Sequence, residues 1–220
     1  YFVLAKLLKA YEFGIPQTRE RIIFLGFRKS TLKPKIKKYF EKGNLPLELD
    51  PFPNLTHSTK ADRPQNLKDV VTSRIALADL QEPNDGIEDL SHCFYSKAKW
   101  MGKHCQGQTE INLDSLGPTI RAEHHGNIEY RRLSLENGGK YTAELSAGLI
   151  ERRLTLRECA RIQTFPDDFN FVIKKMNSGR KFDLSPSSGY KLVGNAVPPL
   201  LAYHIAFRLE NIWDDYFGAG

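Results

Sequence analysis

The sequence predicts an α/β fold joined to a small mixed domain of loops and short strands, and three observations carry that prediction. Ile22-Ile23-Phe24-Leu25-Gly26-Phe27 is a continuous apolar run, the pattern of a strand covered on both faces rather than one. Thr155 and Glu158 have the spacing of a capping box at the start of a helix. Leu200, Leu201, Ile205, Leu209 and Ile212 form an apolar stripe along a last helix, suited to packing on a sheet.

The chain has 220 residues, 40% hydrophobic and 26% charged, which is a globular composition long enough for a sizeable core. Its formal charge of +6 favours an anionic partner. No apolar run approaches membrane-spanning length and no segment has the order of a signal peptide, so no membrane partner is expected. Three cysteines, Cys93, Cys105 and Cys159, are too few and too odd for a disulfide framework and fit a reducing, cytoplasmic setting. The pairs His92-Cys93 and His104-Cys105 lack the usual two-to-four-residue ligand spacing of zinc sites, so no metal is expected.

Taken in order, an apolar opening leads to the 22–27 strand, and Arg28 to Lys42 is a basic stretch read as a solvated linker with a helix. From Gly43 to about Gly148 the pattern loosens. Leu45 to Phe52 is punctuated by proline, Asp69 to Leu80 has helical spacing, and Asn84-Asp85-Gly86 reads as a turn. The helix opened by Thr155 must stop before Pro166, which pushes its predecessor out of helical geometry. A polar stretch through Ser185-Pro186 then leads to Val193-Gly194-Asn195-Ala196-Val197-Pro198-Pro199 and the last helix, whose first turn tolerates proline.

Three islands carry chemistry. In Gly14-Ile15-Pro16-Gln17-Thr18-Arg19-Glu20-Arg21, the alternate residues Gln17, Arg19 and Arg21 share a face if the backbone is extended. Arginine offers a rigid fork of donors to phosphates or base edges, although a charged strand start braced through Glu20 explains the same residues. In Arg152 to Asp167, Arg157 and Arg161 lie four apart on one helix face, placed either for phosphates or for acidic residues of a neighbouring segment. Cys159 on that helix reads as a small buried residue. In Gly189 to Val197, Gly194 permits close backbone approach, and Asn195 either caps a helix or meets a ligand.

Gln-x-Arg-x-Arg after Gly-Ile-Pro, then Arg-x-Leu-Thr-x-Arg-Glu-Cys-Ala-Arg-x-Gln-x-Phe-Pro-Asp, then Gly-Asn-Ala-Val-Pro-Pro occur here in that order. Together they closely resemble the C-terminal half of the DNA (cytosine-5)-methyltransferases of bacterial restriction–modification systems. The resemblance implies residues 1–30 as the end of a Rossmann-like S-adenosylmethionine-dependent catalytic domain and 31–175 as a target-recognition domain with its framework helix. Residues 176–220 would then be the return to the catalytic domain. It further implies methyl transfer from S-adenosylmethionine to carbon 5 of a cytosine flipped out of duplex DNA, since the reacting atom is otherwise held in the base stack. Arg21 resembles the arginine on the flipped cytosine, Arg19 its companion near the substrate, and Gln17 a support of that loop. Asn195, Gly194, Ala196 and Val197 resemble the motif lining part of the S-adenosylmethionine pocket. The segment holding Arg121 and Asn127 resembles, more weakly, a DNA-reading region, and Arg157 and Arg161 join them as expected DNA contacts.

Other family motifs are missing: Phe-x-Gly-x-Gly, Pro-Cys-Gln with its nucleophilic cysteine, and Glu-Asn-Val with its glutamate. His104-Cys105-Gln106 lacks the proline, and Glu210-Asn211-Ile212 follows the last motif. With Tyr1 in place of an initiator methionine, the chain reads as part of an enzyme, inactive alone and completed by an N-terminal half or a complementary subunit. A noncatalytic DNA-recognition subunit and a tRNA methyltransferase fragment are the alternative readings.

Overall fold

The computed structural model describes residues 1–60, 64–95, 109–122, 130–175 and 181–218. Two strands open the chain, β1 (Phe2–Lys9) and β2 (Glu20–Phe27), paired antiparallel with Phe2 opposite Phe27 and Lys9 opposite Glu20. Between them a short 3-10 turn ends at Gly14, whose φ of 82° lies in the left-handed region. Helix α1 (Pro34–Lys42) follows, with proline at its start. The middle of the chain is built from β3 (His57–Ser58), β4 (Lys68–Asp69), α2 (Ser73–Leu77) and α3 (Leu90–Cys93). Next come β5 (Tyr130–Arg132), α4 (Thr142–Ser146), β6 (Arg152–Arg153) and α5 (Leu156–Ile162). The chain closes with β7 (Ile173–Lys174), β8 (Phe182–Leu184), α6 (Pro186–Asn195), α7 (Pro199–Asn211) and α8 (Trp213–Tyr216).

Among the described residues, three apolar cores hold these elements. Leu8, Phe13, Ile15 and Phe52 pack with Leu201 of α7, which seats the last helix on the first hairpin. Phe27, Leu32 and Ile36 pack with Ile212 and Tyr216, which seats α1 beside the C-terminal turn. The largest core gathers Leu77, Ile120, Leu154, Leu156, Ile162, Phe171, Tyr190 and Val193, so α5 and α6 lie together in its centre.

The capping box is present as expected: Thr155 accepts from the Glu158 amide and Glu158 accepts from the Thr155 amide. The proline start of the last helix also holds, with Leu201 and Ile212 of the expected stripe buried and Leu200, Ile205 and Leu209 partly so. Two readings need correction. The 22–27 run is a strand, but its cover is one-sided: Ile22 is 58% exposed and Phe24 67%, as are Val3 and Leu7 across the hairpin at 61% and 51%. Alternate residues face opposite sides, and among the described residues nothing packs on this one. The polar stretch before residue 193 contains a full helix, α6, capped by the Ser185 hydroxyl on the Ser188 amide.

Candidate functional site

The islands meet in space. Residues 16–18 pair with Gly117: its amide donates to the Pro16 carbonyl at 2.9 Å, and the Thr18 amide donates to its carbonyl at 3.0 Å. Gln17, fully buried, donates its amide to the Gln163 side-chain oxygen at 2.6 Å and to the Ile162 carbonyl at 3.3 Å, while its own oxygen accepts from the Ile120 amide at 3.3 Å. Gln163, equally buried, donates to the carbonyls of Val193 at 3.0 Å and Ala196 at 2.8 Å. Arg19 donates to the carbonyls of Ile120 at 3.0 Å, and of Gly194 and Ala196 at 3.1 Å each. Ile120 is thus gripped at both its backbone groups. Buried polar groups must be paired, so this knot fixes the mutual placement of the 17–21, 117–121, 152–167 and 189–197 segments.

Arg19 is 4% exposed and meets carbonyl oxygens rather than a carboxylate; its Nε has no hydrogen-bond partner. Burial lowers its pKa to about 10, with Arg21 adding repulsion, so it still carries charge at neutral pH. Gln17 and Arg19 therefore point inward as positioning groups. Arg21 lies outside the knot, exposed, with its guanidinium on the Glu20 carbonyl at 2.7 Å, free to turn to a ligand.

Gly194 packs so closely on the 121–122 backbone that a Cβ there would overlap Arg121 and Ala122. Asn195 ends α6 with its side chain exposed and caps no helix, because α7 starts behind Pro198. Val197 is 48% exposed beside it, and Arg121 is exposed across the same contact. Asn195 and Val197 thus present an amide and an apolar side chain side by side on the surface.

Thr164 is a residue that sequence reasoning missed. Its φ of 66° is left-handed, an outlier for a β-branched residue. Its hydroxyl donates to the Gln163 carbonyl at 2.6 Å and accepts from the Leu200 amide at 3.2 Å, capping α7 where Pro198 supplies no side-chain cap. Thr164→Ala, which keeps the strain and loses the cap, is expected to cost about 1 kcal/mol. Thr164→Gly, which also removes the strain, should unfold at a higher temperature than the alanine variant in a thermal melt.

Arg157 and Arg161, expected among DNA contacts, are turned to acids. Arg157 is 2% exposed and donates to Asp89 at 2.5 Å and to the carbonyls of Pro166 and Phe169. Arg161 donates to Asp167 at 2.6 and 2.9 Å and to Asp79, whose carboxyls it holds below their usual range. Beneath them Arg152 bridges Glu158 at 2.9 and 3.0 Å and Glu82 at 2.9 and 3.3 Å, all but hidden from water. Burial alone would raise the Glu82 carboxyl, but Arg152 and Arg132 outweigh it and hold the group ionised.

His92 is no metal ligand in this geometry. Its Nε2 faces the Gln81 carbonyl at 2.8 Å and so carries the proton, leaving Nδ1 to accept from the Thr155 hydroxyl at 2.8 Å. Cys159 is fully buried, and burial pushes its thiol well above the usual value, which suits a packing residue and not a nucleophile. Asn127, His104 and Cys105 lie outside the described residues. Among the described residues no helix is long and apolar enough to cross a membrane.

The mixed α/β fold resembles an S-adenosylmethionine-dependent methyltransferase domain. Residues 1–211 match the family described as C-5 cytosine-specific DNA methylase, and the chain belongs to that family of restriction–modification methyltransferases. It is 30% identical to the type II methyltransferase M.MthTI of Methanothermobacter thermautotrophicus, over 96% of this chain and 56% of that protein. It is equally 30% identical to M.NgoPII of Neisseria gonorrhoeae, over 96% of this chain and 55% of that one. The chain thus spans about half the length of the curated relatives it matches. Among solved structures, the S. pombe Dnmt2 methyltransferase superposes with a TM-score of 0.50 at 16% identity, covering 96% of this chain and 56% of that one.

Proposed function

We propose that this chain is the C-terminal part of a DNA (cytosine-5)-methyltransferase acting on a flipped cytosine at a specific duplex site. The observation that carries the reading is the Gln17–Arg19–Gln163 knot, which gathers every island of the motif series and leaves Arg21, Arg121 and Asn195 exposed around it. Arg21 holds the target cytosine and Arg121 contacts the DNA. Asn195 and Val197 hold S-adenosylmethionine, and Gly194 and Ala196 set their backbone through Arg19 and Gln163. The cofactor supplies the methyl group. Arg157 and Arg161 brace the framework through Asp89, Asp79 and Asp167 rather than phosphates. The nucleophilic cysteine comes from a catalytic half outside these residues, and the open apolar face of the hairpin is where such a half packs.

The test offers labelled S-adenosylmethionine, with duplex DNA and tRNA in parallel, to the chain completed by its catalytic half. Label is expected on cytosine of DNA. Arg21→Ala should lower transfer by about 10²-fold or more, as for loss of a donor aimed at the reacting group, with the melting temperature unchanged. Label on tRNA alone, or DNA binding with no transfer, would overturn the reading in favour of a tRNA enzyme or a recognition subunit.

A further inference from the structure

The chain's charge is not spread over its surface. Between Arg28 and Lys42 there are seven basic residues and one acid, Glu41, a surplus of six. The whole chain's surplus is also six, so the remaining residues are neutral in sum. All seven basic side chains are exposed, and among the described residues none is paired with a carboxylate.

The segment is also rigidly mounted. Leu32 and Ile36 are buried against Ile212 and Tyr216, Phe40 packs on Phe2 and Phe27, and the Lys33 amide donates to the Tyr216 carbonyl at 2.9 Å. Pro34 starts α1 and Gly43, with a φ of 64°, ends it. Lys35, Lys38 and Lys42 fall three and four residues apart on the side away from Ile36, one stripe of like charge. Lys33 and Lys35 sit at the amino end, where the helix dipole already repels cations. The fold bears this repulsion on its surface, and an anionic partner is what relieves it.

The stripe lies far from the proposed base-binding end. Arg21 is at the start of β2 and α1 follows its end, with six residue steps from Arg21 to Phe27, on the order of 20 Å of extended chain.

We propose that the lysine face of α1 binds the phosphate backbone of duplex DNA without reading its sequence, at a place separate from the site around Arg21, Arg121 and Asn195. The partner rests on the DNA reading above. The chemistry is regular point charges meeting a regular polyanion: each lysine that neutralises a phosphate releases a condensed counterion. A site of this kind holds a second stretch of DNA while the other end of the molecule engages its target.

The test measures binding of the full chain to fluorescent poly(dA)·poly(dT), which has no cytosine, across a salt series and without cofactor. The dependence of log K on log salt is expected to flatten by about 0.9 for each contacting lysine removed, up to about 3.6 for K35Q/K37Q/K38Q/K42Q. The arginine set K35R/K37R/K38R/K42R should keep the wild-type slope, which separates charge from folding. An unchanged slope in the glutamine variant, or no binding of this duplex by the wild type, would overturn the proposal. Competition by poly-glutamate as strong as by duplex at equal charge would overturn DNA as the occupant in favour of an acidic protein. Because nothing in the assay can be methylated, failure of the Arg21 test leaves its outcome unaffected.

Discussion

Gly194→Ala is expected to be among the most damaging single substitutions in this chain. The added methyl falls on the backbone of Arg121 and Ala122, which cannot swing aside as a side chain would. Both flanks are pinned, since Arg19 holds the carbonyls of Ile120, Gly194 and Ala196 together. Relief requires the 117–122 segment and the end of α6 to part, breaking those bonds. Overpacking a well-filled site costs about 1–3 kcal/mol, and the loss here should reach the upper end, read as a lower denaturation midpoint. In the completed enzyme the displacement separates Arg121 from Asn195. A shift of about 1 Å in a positioned site lowers turnover by about 10²-fold, which a methyl-transfer assay would resolve. Wild-type stability together with wild-type transfer would show that the contact is dispensable.

Glu158→Ala should be at least as costly to folding while leaving the exposed groups in place. Glu158 is fully buried, closes the capping box on Thr155 and meets two nitrogens of Arg152, itself 1% exposed. Removing it leaves the buried guanidinium with one carboxylate, Glu82, and the Arg153 carbonyl, and takes away the acceptor of the Thr155 amide. Breaking a buried pair from one side costs about 3–5 kcal/mol, and the lost cap adds about 1 kcal/mol. The double variant Arg152→Met with Glu158→Leu removes both charges at similar volume and should recover a large part of that loss in urea unfolding. A double variant no more stable than Glu158→Ala would count against charge burial as the origin of the cost.

How far the sequence could be read depended on whether the signal was local. The capping box and the proline-led last helix are written in neighbouring residues, and both are found where the spacing put them. Helix α6 was hidden because Gly189 and Gly194 lower its helical propensity; each is there for a close approach, to Phe171 and to the 121–122 backbone, that only the folded chain reveals. The one-sided exposure of β2 was equally illegible, since an apolar run states that a face seeks cover and not whether the cover lies within these residues. At the site, residue type announced Gln17, Arg19 and Arg21 but not their division of labour: Gln17 and Arg19 are buried under the 117–121 and 189–197 segments, whereas Arg21, on β2 beyond that contact, is exposed. The acids that engage Arg157 and Arg161 include Asp89 and Asp79, 68 and 82 residues away, beyond the reach of spacing arguments.

The polar knot also has a place in time. Gln17 bonds a partner 146 residues downstream and Arg19 one 175 residues downstream. Closing loops of that length delays contact formation, and during synthesis the first island leaves the ribosome long before Gln163 or Gly194 exists. Gln17 and Arg19 stay hydrated through that interval, and their burial waits for the arrival of the C-terminal segment. The cores that join Leu8 to Leu201 and Phe27 to Ile212 close loops at least as long, so the seating of the first hairpin and the alignment of Arg21, Arg121 and Asn195 both wait for the C-terminal helices.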